Sequence, residues 1–481
     1  MSERKLEGIT VKKSENFDEW YVQVILKSEL VDYTSVSGCL AYRPAAYAIW
    51  EIIQKATDEE FKEIGIQNVY FPLLIPERLL KKEKEHVEGF STEVAWVTQT
   101  GDTELDERLA IRPTSETIMY ESFSKWIRSW RDLPLRFNQW NNVLRWEFKH
   151  PIPFLRTREF LWNEGHTVFS SKEEAEAERD QILDIYKKIT EEYLALPGLM
   201  GKKTDKEKFA GAVESYSIEH LLPDGRAIQG PDFHNDGQNF SKAFDVSFLD
   251  KNGKKQYAWQ NTWAISTREI GVMVAVHSDD RGTILPPKVA PIQAVIVPIF
   301  DEKNKKSVLN EAKKIEQKLK SKVRIKLDDR EYYTPGWKFN EWELKGVPLR
   351  IEIGPKDIKR KQVVLVRRDT LEKYAVKFKK LESEIDKTLE NIQNSLLKKA
   401  VEFLEKNTQK VKVYEELKEI LEKEKGIVQA VWCGDRSCED KVKVETKAKI
   451  INIPFNQRKV AGNCIYCNKK GKLIVNFAKS Y

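Results

Sequence analysis

The sequence has few cysteines, no long apolar run and no strong charge of one sign. Five cysteines in 481 residues exclude a disulfide-stapled scaffold. No apolar stretch approaches the roughly 18 residues that cross a bilayer, and the opening residues, Met-Ser-Glu-Arg-Lys-Leu-Glu, lack the apolar centre of a secretion signal. A soluble, cytoplasmic protein is expected. Internal repeats and low-complexity tracts are also absent. Lys+Arg 82 against Asp+Glu 75 gives only +7, so the total charge says little about partners.

What is present is enough for a packed core: 41% hydrophobic and 10% aromatic residues, in a length that suggests three domains at about 150 residues each. Up to Pro286 the chain reads as mixed strand and helix. Residues 69–75 form an apolar strand candidate bounded by Pro76, and residues 244–248 alternate as a strand should. Ser171 and Glu174 open a helix as a capping box, and Ile182, Ile185, Tyr186, Ile189 and Tyr193 recur at helical spacing as one core stripe. The segment 285–291, Leu-Pro-Pro-Lys-Val-Ala-Pro, reads as a linker. Beyond it come an apolar strand at 293–299, a basic amphipathic helix (Val308, Leu309, Ala312, Ile315, Leu319) and strands at 323–327 and 347–353, a compact α/β unit. Residues 381–404 form a long amphipathic helix that leads into the tail. The expected division is 1–286, 287–380 and 381–481.

Positive charge gathers in the second of these parts. Ten basic and two acidic residues lie in 303–326, and ten basic against three acidic in 356–380. Such runs either follow a phosphate backbone or cover a solvated helix face, and a second clue is needed to choose. Four cysteines crowd the last 50 residues. Cys433 and Cys438 flank a turn-like tetrapeptide, Cys464 and Cys467 flank Ile465-Tyr466, and paired turns aim four thiolates at one tetrahedral zinc. A closed four-sulfur shell leaves no place for substrate, so the metal is expected to be structural. Cys39 stands alone as a packed small hydrophobe.

A different signal lies at 142–160. The stretch Asn-Val-Leu-Arg145-Trp-Glu147-Phe, a Pro-bearing loop, and then Arg156-Thr157-Arg158-Glu159-Phe160 place two guanidiniums and a carboxylate on one surface, if strand, loop and strand follow one another. Arginine's planar fork suits phosphate oxygens, a carboxylate accepts from an exocyclic amine, and an aromatic ring offers a stacking face. Alone, Arg-x-Glu is more often a surface ion pair.

With its surroundings the stretch is specific. It resembles motif 2 of class II aminoacyl-tRNA synthetases. Arg112-Pro-Thr114-Ser-Glu116-Thr, Phe160-Leu-Trp162-Asn-Glu164-Gly-His166-Thr, Lys208-Phe209-Ala-Gly-Ala, Gly336-Trp-Lys-Phe and Gly346-Val-Pro resemble, in order, the prolyl-tRNA synthetase family of the archaeal and eukaryotic-like type. The likeness runs from about Asn16 to Tyr481. It implies an antiparallel-sheet class II catalytic domain, an α/β anticodon-binding domain and an α+β zinc-binding C-terminal domain. It also implies activation of L-proline with ATP, transfer to the 3' end of tRNA(Pro), and release of AMP and pyrophosphate.

The resemblance carries roles position by position. Pro72 matches the motif 1 proline of the homodimer interface. Arg145 would bridge the amino-acid carboxylate and the ATP α-phosphate, Glu147 hold the adenine amine, Arg156 the γ-phosphate and Phe160 the adenine ring. Motif 3 is matched at 263–271, with Arg268 as the further phosphate arginine. Thr157, Gln229, Asp232 and Ser266 fall among the ATP-binding positions, and magnesium accompanies ATP. Thr114 and Glu116 would take the prolinium protons, with Trp162, Glu164, His166, Phe209 and His234 shaping the ring pocket. Ala264 stands where related enzymes usually have Gly, and Asp232-Phe233 where many have Thr-Ser. Arg350, Glu352 and Lys356 are the candidates for anticodon contacts, and Tyr481 is expected to pack back on the catalytic domain. No DNA or membrane partner is implied, and the short interval between Arg156 and Arg268 leaves no room for a large editing insertion. Two other readings stand beside this one: a class II enzyme of threonyl or histidyl specificity, whose pocket the Thr114, Glu116, Trp162 and His166 set does not match, and a non-catalytic synthetase-like RNA-binding or regulatory protein, which would tend to lose the arginines kept here.

Overall fold

A computed structural model describes residues 8–86, 93–147, 149–423, 426–457 and 460–481. Phe148, quoted in the arginine-bearing stretch, lies outside the described residues. A single eleven-stranded sheet runs through two domains. Across it, in order, Leu199–Lys202, Glu214–Leu221, Ala227–Gly237, Trp259–Ala264, Glu159–Phe169 and Leu135–Leu144 pair antiparallel, and Gln67–Asn68 joins the last of them in parallel. This is the antiparallel catalytic sheet that the resemblance implies. Leu135–Leu144 and Glu159–Phe169 pair along their whole length, from Leu135↔Val168 to Leu144↔Glu159, and set the motif residues at one end of a long hairpin.

Alternation along the strands separates core from site. On the strand Ala227–Gly237, Phe233 enters the main core, with Trp20, Trp50, Phe61, Tyr186 and Trp263 from the helices Phe17–Lys27, Pro44–Glu63 and Lys172–Lys188 and the strand Trp259–Ala264. Asp232 and His234, its neighbours on the other face, line a cavity.

The C-terminal strands continue the same sheet. Lys449–Pro454 pairs antiparallel with Leu199–Lys202 through Ile453↔Lys202 and Pro454↔Gly201, and Leu473–Ala478, Ile427–Trp432 and Thr408–Lys410 follow outward. Gly201 permits that junction, because a Cβ there would stand 2.5 Å from the Ile453 carbonyl oxygen. The tail is thus an extension of the catalytic sheet.

The α/β unit has its own five-stranded sheet, ordered Ile325–Leu327, Ala294–Pro298, Leu349–Ile353, Gln362–Arg367, Lys373–Lys377. Helix Lys305–Leu319 buries Val308, Ala312, Ile315 and Leu319 on it and leaves its lysines to solvent, as the pattern predicts. The linker is no free tether: Leu285, Val289 and Ala290 are buried in the catalytic core. Arg324 of the α/β unit donates to the carbonyls of Ala290 and Pro287, both at 2.8 Å, so the boundary is a packed joint. Helix Leu381–Lys406 touches every part of the molecule. Leu381, Ile385 and Leu389 complete the α/β core, Ile392 and Leu396 pack on Ala195 and Ile284, and Leu404 meets Leu221 and Ala227.

Three local expectations are corrected. Residues 69–75 are not one strand. Pairing breaks around exposed Pro72, which has no N–H to give, and leaves short strands at Gln67–Asn68 and Leu74–Pro76. Residues 244–248 end a helix, Asn239–Phe244, whose left-handed cap at Asp245 (φ 54°) turns the chain into a strand only at Ser247–Leu249. At the helix Lys172–Lys188, Ser171 caps the Glu174 amide as expected, but the Glu174 carboxylate accepts from Ser170.

Candidate active site

The motif hairpin, the loop around Thr114 and the strand Ala227–Gly237 enclose a cavity of about 250 Å³. Thr114, Glu116, Arg145, Trp162, Glu164, His166, Phe209, Gln229, Asp232 and His234 all line it, although more than a hundred residues separate the first from the last. Gly165 forms part of the floor. The Trp263 ring covers it so closely that a Cβ would stand 2.0 Å from the indole, so the Gly between Glu164 and His166 is a packing requirement.

The deep end is buried and polar. The Thr114 hydroxyl donates to Glu116, which opens helix Glu116–Trp126. His166 Nε2 and the Glu164 carboxylate face each other at 3.5 Å without completing a hydrogen bond, while the Tyr120 hydroxyl stands 3.5 Å from His166 Nδ1. The indole N–H of Trp162 has no acceptor among the described residues, and neither Glu164 oxygen has a donor. Phe209 stacks on His234, with ring centroids 4.8 Å apart and planes 24° from parallel. His234 Nδ1 lies 2.9 Å from the Ser215 hydroxyl. Burial holds the His234 pKa below 6.5 against the pull of Asp232 and Glu116, with Lys203 and Arg145 pushing the same way as burial.

Arg145 lines the other end, and Arg156 and Arg268 lie outside the lining. The backbone N–H of Arg145, one residue past the strand Leu135–Leu144, still donates to Arg158 O at 2.7 Å. Its Nε donates to Pro113 O at 2.9 Å, and its guanidinium lies over the rings of Trp162 (5.0 Å) and Phe160 (5.5 Å). Arg268 opens helix Arg268–His277 and donates to Leu155 O at 3.2 Å and Gln229 O at 3.0 Å. Burial lowers its pKa, Glu269 and Asp232 oppose this, and Arg145 and Arg156 add to the fall. The three arginines therefore share one electrostatic neighbourhood. Thr157 is buried beside Arg156, the Ser266 hydroxyl accepts from the Arg268 N–H at 3.3 Å, and Gln229 donates to Asp232 at 2.8 Å. The strand ends at Leu144, and Glu147 lies exposed beyond it; like Arg156, Thr157, Phe160, Ser266 and Arg268, it is outside the cavity lining. Ala264 lines the cavity and keeps its register with Asp232, so the missing Gly leaves the ladder intact.

Several site residues gave no signal in sequence. Lys203 lines the cavity although buried, with its ammonium on Glu219 and, at 3.0 Å, on Ile451 O of the C-terminal domain. It stands in a Lys-rich stretch that reads as solvated surface. Glu207, also in the lining, takes ion pairs from Lys443 and Lys449. Burial alone would raise its pKa, but Lys449 and Lys443 bring it below the usual carboxylate value. Asp236 is fully buried two residues beyond His234, and burial with the charge of Glu116 holds its carboxyl well above the usual range.

The other predicted groups fall outside this cavity. Cys433, Cys438, Cys464 and Cys467 bring their sulfurs within 4.8 Å of one another. The distances of 3.7 Å (Cys433 to Cys438) and 3.8 Å (Cys433 to Cys467) match the roughly 3.8 Å edge of a tetrahedron with 2.3 Å zinc–sulfur bonds. Cys39 is only half-buried. Arg350 donates to Glu352 at 3.1 Å and to Glu343 at 2.8 Å over the Phe339 ring, whereas Lys356 is exposed at the start of helix Pro355–Arg360. Tyr481 does return to the catalytic domain. Its N–H donates to Ala227 O at 2.9 Å, its hydroxyl to Asp18 at 3.2 Å, and the Arg226 guanidinium lies 4.0 Å from its ring.

The antiparallel sheet, the motif arginines and the buried pocket beside them define a class II synthetase core. A family profile described as "tRNA synthetase class II core domain (G, H, P, S and T)" matches residues 95–277, and "Anticodon binding domain" matches 293–388. "Prolyl-tRNA synthetase, C-terminal" matches residues 414–481. The chain is 53% identical to a proline--tRNA ligase of Natranaerobius thermophilus over 98% of this chain and 97% of that one. It is 52% identical to one of Alkaliphilus oremlandii (97% and 96% covered) and 50% identical to proline--tRNA ligase 2 of Bacillus cereus over the full length of both. The chain belongs to the prolyl-tRNA synthetase family.

Proposed function

We propose that this chain joins L-proline to tRNA(Pro): it activates proline with ATP to prolyl-adenylate and then transfers the prolyl group to the 3' end of the tRNA, releasing AMP. The observation that carries this reading is the single cavity in which Glu116, Trp162, His166 and His234 meet Arg145. A secondary ammonium on a small apolar ring needs anionic acceptors and a snug wall. Glu116 with Thr114 supplies the acceptors, and Trp162, Phe209 and His234, with Glu164 and His166 behind, supply the wall.

In the first step a proline carboxylate oxygen attacks the α-phosphorus of ATP, taken as its magnesium complex, and the bond to the bridging oxygen breaks as pyrophosphate leaves. Negative charge grows on the phosphate oxygens. Arg145, Arg156 and Arg268 stabilise it by position and charge, which is how phosphoryl chemistry without a protein nucleophile is accelerated. Phe160 offers its face to adenine, with Thr157, Ser266, Gln229 and Asp232 around the nucleotide. In the second step a terminal ribose hydroxyl of tRNA attacks the acyl carbon and AMP departs. The basic faces of the α/β unit follow tRNA phosphates, while Arg350, Glu352 and Lys356 read the anticodon.

We divide the labour as 1–286 for catalysis, 287–380 for the anticodon and 381–481 for the tail. Cys433, Cys438, Cys464 and Cys467 would hold zinc, which supplies a structural cross-link there. Metal analysis should give about one zinc per chain, and Cys464→Ala should lose it; unchanged metal content in that variant rejects the site. Exposed Tyr70, Pro72 and Leu73, with half-exposed Trp126 beside them, support a homodimer through this edge. Among the described residues no helix is long and apolar enough to cross a membrane, and we take the protein as cytoplasmic.

The test is amino-acid-dependent exchange of pyrophosphate into ATP with all the standard amino acids. Strong exchange with proline alone is expected. Exchange with another amino acid overturns the pocket assignment, and none at all favours a non-catalytic synthetase-like protein.

A further inference from the structure

Behind Arg268, outside the cavity, two titratable side chains meet in the interior. His220, on the strand Glu214–Leu221, and Glu269, in the first turn of helix Arg268–His277, each have about 1% of the side chain exposed, and His220 Nε2 stands 3.1 Å from Glu269 Oε2. The other ring nitrogen, Nδ1, lies 2.9 Å from Pro197 O. A carboxylate and a carbonyl are both acceptors, so an imidazolium, with a proton on each nitrogen, suits both neighbours; Nε2 and Oε2 meet as an ion pair whose angle does not complete a hydrogen bond. Gly230 makes room for the pair. A Cβ there would stand 2.6 Å from His220 Nε2 and 2.8 Å from Glu269 Oε1.

The pair joins the two segments that carry the nucleotide end of the site. Glu269 follows Arg268, whose guanidinium donates to Gln229 O at 3.0 Å. Gln229 precedes Gly230 and pairs in register with Glu219, the residue before His220. Neither His220 nor Glu269 lines the cavity, and with about 1% of each side chain exposed neither reaches a ligand. Resting on the ATP-binding reading above, we propose that the His220–Glu269 ion pair is a positioning device: it locks helix Arg268–His277 to the strand Glu214–Leu221, whose partner strand Ala227–Gly237 carries Gln229, and so holds Arg268 and Gln229 in place for ATP.

The charged groups facing His220 are few. Glu219 is occupied by Lys203 and Ser217, and Glu191, in the turn Ile189–Tyr193, is the other carboxylate within its field. Burial favours the neutral ring, but Glu269, the Pro197 carbonyl and Glu219 outweigh it and raise the pKa above 6.5. The pair is fully formed below about 6.5 and is lost as pH rises through the raised value, which leaves the Glu269 carboxylate buried without a partner.

The experiment is proline-dependent pyrophosphate exchange from roughly pH 6 to pH 9, reading KM for ATP and for proline separately in the wild type, His220→Gln and Glu269→Gln. In the wild type the ATP KM should climb on the alkaline side while the proline KM stays flat. Both variants should show an ATP KM raised about tenfold, the size of one lost charge-assisted contact, with no alkaline limb and an unchanged proline KM. His220→Gln with the wild-type ATP KM and pH limb overturns the proposal, as does a parallel rise of both KM values, which a merely structural role would give. Should His220→Gln fail to fold, the nitrogen-15 spectrum of the wild-type imidazoles decides: a His220 ring that titrates above a free imidazole is expected, and one that titrates at or below it overturns the pair. Absence of exchange in the wild type would instead sink the activation reading itself, a result distinct from failure of the variant.

Discussion

At the deep end of the cavity Trp162 Nε1, His166 Nε2 and both Glu164 oxygens are buried without a hydrogen bond among the described residues. At the other end Arg145 and Arg268 are each tied to backbone carbonyls, Pro113 O for one and Leu155 O and Gln229 O for the other. Each unpaired buried group costs about 1–3 kcal/mol, a cost the fold bears until a ligand supplies the partner. The guanidiniums have the reverse arrangement, since their planes are set before any nucleotide arrives. On the reading proposed above, the deep end selects its ligand by what that ligand completes, and the arginine end acts by guanidinium geometry prepared in advance. Variants can break this contrast at either end.

The largest effect is expected from Arg145→Lys. Lysine keeps the charge but has no Nε–H to give Pro113 O and no planar face for Phe160 and Trp162. The rate of exchange should fall roughly a hundredfold to a thousandfold, the scale of losing one prepared donor to a developing oxyanion. Near-normal exchange would mean that charge alone suffices, and the contrast between the two ends would lose its basis.

Glu116→Gln probes the opposite end. It keeps shape and the neighbouring Thr114 but replaces the buried carboxyl group that we assign to the prolinium. A hydrogen bond to a charged group is worth about 1.5–3 kcal/mol, so the proline KM should rise roughly tenfold to a hundredfold while the ATP KM barely moves. A rise in both would show that the ends are coupled.

The helix that begins with Arg268 ends with His277; burial lowers the pKa of both, and at His277 the fall bears on stability in acid. His277 Nε2 lies 2.9 Å from Leu194 O, and burial pushes its pKa down to about 4. The neutral ring is the native form, so its contribution is whole above 6.5. As pH falls from there towards 4, the unfolded chain takes up the proton and the folded one does not. The full loss is about 3 kcal/mol by linkage. Denaturant melts should therefore show stability falling across this window, and His277→Gln should flatten the slope; an unchanged slope places the titration elsewhere.

Two motifs were legible because their chemistry needs fixed residue types at short spacing, Arg145 with Arg156 and Phe160 and the two cysteine pairs, whereas Trp162, Glu164 and His166 were legible only through the family resemblance. Hydrophobic period also showed the helix carrying Val308 to Leu319 and the one at 381–404, which the structure extends to Lys305–Leu319 and Leu381–Lys406. What could not be read was made by distant chain segments. Lys203 looks solvated until the Ile451 carbonyl from the tail covers it, and nothing local says that Ile453 will pair with Lys202. Pro72 split an apolar run that hydropathy alone makes continuous, and Glu147 fell past the end of its strand. His220 and Glu269 looked like ordinary residues of a strand and a helix.

The tail offers the mildest test. Ala227 opens the strand that carries Gln229 and Asp232, and its N–H and C=O are held by Lys479 O at 2.8 Å and Tyr481 N at 2.9 Å. Arg226, the residue before, lies over the Tyr481 ring. Deleting Tyr481, or extending the chain beyond it, removes or crowds this clamp at the start of a strand whose third residue reaches the nucleotide end. A cation–π contact at a half-exposed site is worth about 0.5–1 kcal/mol, so a rise of roughly twofold to fivefold is expected. That rise should appear in the ATP KM and leave the proline KM alone, because His234 is held separately by Ser215 and Phe209. Kinetics indifferent to both changes would confine the tail's role to its own domain, whereas a rise in the proline KM would mean that the shared sheet carries the disturbance past Asp232 to the deep end.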